Sequence, residues 1–309
     1  MSVFASPAEE YLRLRRALGH DLADAARLLP RFVAYLDAIG ASRITTEVAL
    51  IWVRRPDADP TSSVWARRMI VVRGFARHMS GIDPTTEVPP LGLVTYRQRW
   101  RAPFIYSPAD IQALMSQVPR LIPSTLRAAT FQTMIGLLAT TGMRVGEAIA
   151  LDRGDIDWTE GVLVVRASKF NKTREVPLDP TALDALASYA RIRDRHVQRP
   201  ASPAFFVSAK GTPVIYAVFG AVFRKLVATC GVGSGSTVFP RIHDLRHSFA
   251  VHTLIRWYQA GEDVEALLPR LSTYLGHRTP VYTYWYLSAA PELLSLAASR
   301  LETAQETRR

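Results

Sequence analysis

Apolar residues recur at spacings of three and four along most of the chain, which is the pattern of amphipathic helices. In the first part of the chain, glycines and prolines divide this pattern into separate segments. Helices are predicted there over 8–18, 21–39, 46–54 and 61–79. After an interruption, helices are predicted over 108–117, 125–140, 144–151, 180–196, 214–229, 244–259, 262–268 and 290–301.

The spacing changes to two between residues 155 and 178. Apolar and polar residues alternate over 161–166 and over 173–177, with a turn near Phe170–Lys172. This alternation predicts a pair of antiparallel strands. The fold class is therefore predicted to be mainly α with a small antiparallel β-sheet in the second half of the chain.

Prolines mark the expected domain boundary. Pro84, Pro89 and Pro90 interrupt the helical pattern, and Ser107 and Pro108 restart it as an N-cap and a first-turn proline. We predict four parts, which are a helical domain over 1–82, a linker over 83–106, a mixed α+β domain over 107–301 and a polar tail over 302–309.

The formal net charge of +11 favours a nucleic-acid partner, although a merely basic, soluble surface is equally open on charge alone. Arginines cluster in the fourth predicted helix and beside aromatic residues in the linker. The candidate DNA-binding residues are Arg67, Arg68, Arg73 and Arg77 in the helix and Arg97, Arg99 and Arg101 in the linker. A solvated helix face and a simple spacer are the alternative interpretations.

Cys230 is the only cysteine, which excludes an internal disulfide and a cysteine-based zinc site. The first residues lack the pattern of a signal peptide, and no apolar run approaches the roughly 20 residues that span a bilayer. We therefore expect a cytoplasmic protein with no membrane partner.

Several common catalytic motifs are missing from the sequence. It contains no Walker A loop, HExxH, GxSxG or dinucleotide-binding glycine motif, and the glycine-rich residues 231–235 are expected to form a flexible loop. His243 and His247 have the i, i+4 spacing of metal ligands, but no third ligand is evident. We expect no metal and no cofactor, and we interpret His247 as a buried or helix-bonded partner.

Four motifs in the second half carry a chemistry suited to phosphate. They are TGMRVGE at 141–147, HDLRH at 243–247, LGH at 275–277, and Tyr286 nine residues after His277. Between the first two lies the strand–turn–strand segment at 168–178. In this order the motifs resemble those of the tyrosine recombinases of the phage integrase type over roughly 107–300. The first domain is similar to the helical, SAM-like core-binding domain of that family.

The resemblance implies that Tyr286 is the nucleophile and becomes linked to a 3′ phosphate. A covalent intermediate conserves the phosphodiester energy, so a DNA hydroxyl can reseal the strand. Arg144 and Arg246 would hold the scissile phosphate, since forked guanidinium donors stabilise the charge of the transition state. Such a site needs no metal.

The remaining roles also follow from the resemblance. Lys169 would protonate the leaving 5′ oxygen, His243 would take or return the tyrosine proton, and His277 would donate a hydrogen bond to the phosphate. Glu147 lies one turn after Arg144 and would orient a neighbouring side chain. Lys172 would contact a phosphate.

Two of these assignments have close competitors. Lys172 could take the role of Lys169, or be a solvated turn residue. Tyr282 and Tyr284 precede Tyr286, and in a helix Tyr282 would share the face of Tyr286 while Tyr284 would point away. The offset from the histidine selects Tyr286, and Tyr282 is interpreted as a packing or backbone contact.

The resemblance further implies a C-shaped clamp around double-stranded recombination sites. We expect a homotetramer on DNA, or a mixed assembly with partner recombinases, that exchanges strands through a Holliday junction. A bacterial, nucleoid-associated enzyme of a mobile element is expected, with a simple two-domain organisation. The longer segment at 262–272 should lengthen a helix connection, and the segment after Pro291 could dock on its own domain or on a neighbour.

Two other functions compete with this one. A type IB topoisomerase-like enzyme would use the same nucleophile but act as a monomer without specific sites. A DNA-binding accessory protein would have no catalytic activity. Integration, excision, transposition and resolution are not distinguished by the sequence.

Overall fold

A computed structural model describes residues 2–20, 22–57, 62–94, 102–168, 172–277, 279–289 and 293. Side chains are described for all of these except 167, 168, 172, 288 and 289. The chain divides into two compact units, residues 1–100 and residues 101–309.

The first unit is helical. Its helices are α1 (Ala5–Ala17), α2 (Ala23–Ala38), α3 (Thr46–Val53) and α4 (Val64–Met79). The apolar faces that the spacing predicted meet in one core, where Phe32, Val72 and Phe75 are fully buried. Thr45 caps α3 by accepting a hydrogen bond from the Val48 amide.

Part of the predicted linker is attached to this unit. The Glu87 carboxylate accepts a hydrogen bond from the Thr46 amide at 2.8 Å, and the Glu87 amide donates to the Ile44 carbonyl at 2.9 Å. Val94 packs against the same core. Residues up to 94 of the segment predicted as a linker over 83–106 therefore contact the first unit.

The described residues of the second unit form eight α-helices, a short 3-10 helix at Arg153–Asp155 and a small sheet. The helices are α5 (Pro108–Leu121), α6 (Thr125–Thr141), α7 (Val145–Ile149), α8 (Pro180–His196), α9 (Tyr216–Cys230), α10 (Asp244–Gln259), α11 (Val264–Leu275) and α12 (Val281–Ala289). Ser107 and Asp110 form a capping box at the start of α5, where the sequence predicted a cap.

The sheet has the order β1-β2-β3, with β1 (Ile156–Asp157), β2 (Val162–Ser168) and β3 (Lys172–Pro177). All pairs are antiparallel, and Leu163 faces Val176 in the β2–β3 register. The predicted class, mainly α with a small antiparallel sheet, is confirmed, and β1 adds a short strand that the alternation did not reveal.

Helix α11 differs from the sequence prediction of a helix over 262–268. It runs on to Leu275 with Pro269 in its interior, where one intrahelical hydrogen bond is lost. Leu268, Leu271 and Leu275 are all buried on one face, and this packing outweighs the cost of the proline.

Most of the helix predicted over 290–301 lies outside the described residues. Leu293 is described, and it is buried in a cluster with Leu254 and Tyr286 of its own unit. No helix among the described parts of the chain is long and apolar enough to span a membrane.

Candidate active site

The first arginine of the predicted site stands at a sharp elbow between α6 and α7. Gly142 ends α6 with φ +60°, and a Cβ there would come within 2.4 Å of the Phe249 ring. The turn places Arg144 directly before α7. Its Nη1 donates to the Glu147 carboxylate at 2.7 Å and its Nη2 to the Gly276 carbonyl at 3.1 Å. Its side chain keeps 26% of its surface exposed, so a ligand can reach it.

The second arginine, Arg246, lies in the first turn of α10 and is 2% exposed. Its Nη1 donates to the Gly142 carbonyl at 2.9 Å, and its Nη2 donates to the Leu275 carbonyl at 2.6 Å. Burial, and then the nearby Arg144 charge, lower the pKa of Arg246 to about 10, so the group stays charged at neutral pH. Arg144 and Arg246 thus donate to the carbonyls of two consecutive residues, Gly276 and Leu275.

The Glu147 carboxylate lies between the guanidiniums of Arg144 and Arg174. The sequence predicted only that Glu147 would orient a neighbouring side chain. Burial alone would raise the pKa of Glu147, but hydrogen bonds from Arg174 and Arg144 outweigh burial and lower the pKa to about 2. Arg174 of β3 donates to both carboxylate oxygens, at 3.1 and 2.7 Å.

Arg174 was missed at the sequence level. A signal for it exists, because Arg174 and the buried Val176 are two residues apart on β3 and so lie on the same face of the strand. A charged residue on a buried strand face requires a partner. That alternation pointed to an acidic neighbour.

Tyr286 is 2% exposed on α12, against 53% for Tyr282 and 48% for Tyr284. The Tyr286 hydroxyl lies 3.2 Å from His247 Nδ1, and its ring stacks on that of His277 with centroids 6.1 Å apart. Burial raises the pKa of Tyr286, and the charge and hydrogen bond of Arg246 oppose that rise. Of the three tyrosines, Tyr286 is the one held against this arginine.

Tyr282, interpreted from the sequence as a packing or backbone contact, is half exposed. Tyr282 does not share the burial of Tyr286, because its ring projects beyond the cluster that encloses Tyr286. Its remaining ring contact is with His277, at 6.3 Å between centroids.

Two histidines, His247 and His277, contact the Tyr286 ring, and a third, His243, packs against His247. His277 Nδ1 lies 2.8 Å from Thr283 Oγ1, and the His243 and His247 rings meet edge to face at 4.8 Å. Desolvation, followed by neighbouring charges, lowers the pKa of His243 to about 4 and the pKa values of His247 and His277 to about 3. Neutral imidazoles at pH 7 can accept a proton. His247, which the sequence analysis treated as structural, is the imidazole in contact with the nucleophile candidate.

Lys169 lies outside the described residues, as do Arg97, Arg99 and Arg101. Lys172 begins β3, and its side chain is not described. Among the residues that are described, no group of three or more His, Cys, Asp or Glu side chains could hold a metal ion.

For two arginines of α4, the contacts in the structure differ from the predicted DNA contacts. Arg68 is buried and donates to the Val53 carbonyl at 3.3 Å and to the Asp57 carboxylate at 2.7 Å. Arg73 donates to the carbonyls of Pro89 and Pro90 at 2.8 and 2.9 Å. These guanidiniums hold the first unit together, contrary to the prediction that they contact phosphates.

Arg67 and Arg77 have exposed side chains on the same helix. Arg67 has one weak partner, Asp24, at 3.8 Å. Both keep the exposure that a phosphate contact needs.

The chain matches the phage integrase family over residues 107–292, and it belongs to that family. A protein of Sinorhizobium fredii (strain NBRC 101917 / NGR234), provisionally named integrase/recombinase y4rB, is 41% identical over 315 residues and 100% of both chains. The tyrosine recombinase XerC of Herpetosiphon aurantiacus is 30% identical over 72% of this chain and 69% of its own.

Solved structures share the fold. The Tn1549 transposon integrase in complex with circular intermediate DNA superposes with a TM-score of 0.64 at 18% identity, covering 96% of this chain and 99% of that one. The XerH recombinase bound to its difH substrate gives a TM-score of 0.60 at 17% identity, covering 83% and 68%. The protein is thus a tyrosine recombinase, an enzyme that breaks and rejoins DNA, and the predicted class is confirmed.

Proposed function

We propose that the protein is a site-specific recombinase that cuts each DNA strand with Tyr286 through a covalent 3′-phosphotyrosine intermediate. The observation that carries the proposal is the position of the Tyr286 hydroxyl. The hydroxyl lies 3.2 Å from His247 Nδ1. The charges of Arg246 and Arg144 oppose the rise that burial causes in the pKa of Tyr286. A nucleophile, a proton acceptor and two phosphate-binding cations are what this transfer requires.

In the proposed cleavage step, the Tyr286 oxygen attacks the scissile phosphorus and the bond from phosphorus to the 5′ oxygen breaks. The phenol proton passes to the neutral imidazole pair His243 and His247, of which His247 is in hydrogen-bond distance. The leaving 5′ oxygen takes a proton from Lys169. The reverse step, attack of a DNA 5′-hydroxyl on the phosphotyrosine, restores the phosphodiester without an external energy source.

Arg144 and Arg246 bind the non-bridging oxygens in this proposal. Hydrogen bonds to the Gly276 and Leu275 carbonyls hold both guanidiniums in place. Each guanidinium has five N–H donors, so donors remain for a phosphate. His277 donates a further hydrogen bond to the phosphate from its position beside the Tyr286 ring. Glu147 holds Arg144 in place.

The proposed partner is double-stranded DNA carrying recombination sites. Four protomers, or two pairs with a partner recombinase, act on two sites and pass through a Holliday junction. A role in a bacterial mobile element is supported by the relatives named integrase/recombinase and transposon integrase. The proposed location of the protein is the cytoplasm, at the nucleoid. Arg67, Arg77, Arg97, Arg99 and Arg101, together with Lys172, supply the proposed backbone contacts.

The test starts from nicked duplexes of random sequence. Such substrates lose the short 5′-hydroxyl fragment after cleavage and trap the covalent complex. Repeated selection for duplexes that stay attached to the full chain through denaturing electrophoresis should enrich one sequence. No covalent attachment to any duplex would contradict the proposal and favour an accessory DNA-binding role.

A second assay separates the recombinase from a topoisomerase-like enzyme. Two plasmids carrying the selected sequence should exchange strands, while a supercoiled plasmid without it should stay supercoiled. Relaxation of the siteless plasmid at catalytic amounts of protein would favour the topoisomerase.

A further inference from the structure

The carboxyl end of α11 receives three arginines. The last carbonyls of a helix have no partner inside the helix and carry partial negative charge. Here the His277 amide donates to the Ser272 carbonyl at 2.9 Å and the Gly276 amide to the Thr273 carbonyl at 2.9 Å. These two bonds close the helix at Gly276, whose φ is +65°. The next three carbonyls remain for other donors.

Each of those three carbonyls accepts from a different arginine. The Tyr274 carbonyl accepts from Arg174 Nε at 2.9 Å. The Leu275 and Gly276 carbonyls accept from Arg246 Nη2 at 2.6 Å and Arg144 Nη2 at 3.1 Å. The donors come from β3, from α10 and from the residue before α7. One helix end therefore sets the spacing of both proposed phosphate-binding guanidiniums.

Arg174 differs from the other two because all three of its guanidinium nitrogens make described hydrogen bonds within the protein, whereas Arg144 and Arg246 use two each. Its side chain is 11% exposed, against 26% for Arg144. While its Nε holds the helix end, its Nη1 and Nη2 grip the two oxygens of Glu147, at 3.1 and 2.7 Å. A guanidinium is the side chain that can make these three bonds from one rigid plane.

Glu147 connects Arg174 to Arg144. The same carboxylate accepts from Arg144 Nη1 at 2.7 Å and from the Arg144 amide at 2.9 Å. Glu147 is therefore fixed from one side by Arg174 and from the other by Arg144. Without Arg174 the carboxylate would have one cation instead of two and would lose the two hydrogen bonds that hold it from the β3 side.

The close packing extends to the glycine of the LGH motif. A Cβ on Gly276 would lie 3.1 Å from Arg174 Nη1. A side chain at this position would press on the guanidinium, in addition to straining a residue at φ +65°. Because Gly276 has no side chain, it can adopt the positive φ that ends α11 and leave room for the Arg174 guanidinium.

We propose that Arg174 is a positioning residue of the recombinase. It joins β3 to Glu147 and to the end of α11, and so fixes Arg144 relative to Arg246. This inference rests on the proposed function of the two phosphate-binding arginines. Arg174 itself does not bind the scissile phosphate.

The test uses Arg174→Lys and Arg174→Ala in the full chain, with a nicked duplex selected by covalent attachment to the wild-type protein. The lysine variant keeps the charge but cannot span three acceptors. Its single-turnover cleavage rate at saturating duplex should fall by about 10–100-fold, the size of effect that a misplacement near 1 Å produces. Its dissociation constant for the duplex should stay within about threefold of the wild-type value.

Arg153→Lys is the matched control. Arg153 lies in the same unit and donates to both oxygens of Asp194 at 2.9 Å, but its side chain is 51% exposed and contacts neither Glu147 nor the end of α11. The control should cleave at the wild-type rate. Added ethylguanidinium should restore part of the cleavage rate of Arg174→Ala, whereas a variant that had merely lost stability would be further inhibited by it.

The possible results separate the inference from the proposed function. Absence of any covalent complex with the wild-type protein would contradict the function itself. If the wild-type protein cleaves and Arg174→Lys cleaves equally fast, Arg174 has no positioning role. If duplex affinity falls by the same factor as the rate, Arg174 contacts DNA directly and the inference is wrong.

Discussion

Replacing Glu147 with glutamine should destabilise the second unit more than any surface substitution does. Glutamine keeps the shape of the side chain but turns one hydrogen-bond acceptor into a donor that faces a guanidinium. It also removes the negative charge that lies between Arg144 and Arg174. The variant is therefore left with two adjacent cations and no carboxylate.

The expected cost can be worked out in two ways. The pKa of Glu147 is lowered from 4.5 to about 2, and each pKa unit corresponds to roughly 1.4 kcal/mol, which gives about 3 kcal/mol. Removing one partner of a buried ion pair costs about 3–5 kcal/mol in other proteins. We expect a loss of about 3 kcal/mol at pH 7, equivalent to a melting temperature lower by about 6–12 °C for a unit of this size.

The pH dependence follows from the direction of the shift. A carboxyl whose pKa is lower in the folded state stabilises that state above its unfolded pKa, and the contribution is lost as pH falls from about 4.5 to about 2. Urea unfolding of both proteins at pH 7 and pH 3 measures it. The difference between wild type and Glu147→Gln should shrink at pH 3.

Glu160→Gln is the control for this comparison, because Glu160 is exposed in the same unit and undergoes the same chemical change. Its unfolding free energy should match that of the wild type. A cost below about 1 kcal/mol at pH 7, or a loss of stability as large at pH 3 as at pH 7, would show that the Glu147 charge does not stabilise the fold.

Three further predictions concern single side chains. His247→Asn should slow covalent attachment of Tyr286 by about 10²–10⁴-fold, measured in single turnover, if the imidazole takes the phenol proton; an unchanged rate would assign the proton elsewhere. Arg68→Ala should lower the stability of the first unit by about 2–4 kcal/mol in urea, whereas Arg77→Ala should leave stability unchanged and weaken duplex binding with a shallower salt dependence. The reverse pattern would restore Arg68 as a DNA contact. Gly142→Ala should unfold the α6–α7 elbow region at lower temperature in calorimetry, because its φ is +60° and Phe249 occupies the space of a Cβ; a wild-type melting curve would contradict this.

The helices and the sheet could be predicted because each has an apolar face with the period of its own geometry. Helix α6 was expected over 125–140 and runs over Thr125–Thr141. The expected helix at 262–268 was too short, since Pro269 is a helix breaker in local terms. The buried Leu271 and Leu275 overcome it, and such tertiary packing is not visible in a local pattern.

The α4 arginines show a second limit of sequence reasoning. Arg67, Arg68, Arg73 and Arg77 look alike in a basic helix. Their roles depend on which of them meets an acceptor from a distant segment, as Arg68 does with Asp57 and Arg73 with the 89–90 carbonyls. That pairing is set by the tertiary fold.

The candidate site was predictable to the extent that motifs mark it. The motifs identified Arg144 and Arg246 as candidates but could not show that both donate to carbonyls at one helix end. They also gave no weight to His247 and omitted Arg174, because neither belongs to a motif position to which the resemblance attaches a role.

The most direct test of the account is to locate the DNA on the protein. The covalent complex formed with a selected nicked duplex can be digested with nuclease and trypsin, and residues 279–300 then form one peptide that contains Tyr282, Tyr284 and Tyr286. Tandem mass spectrometry should place the nucleotide on Tyr286, and Tyr286→Phe should bind the duplex but form no complex. A nucleotide on Tyr282 or Tyr284, or a covalent complex formed by Tyr286→Phe, would contradict the account.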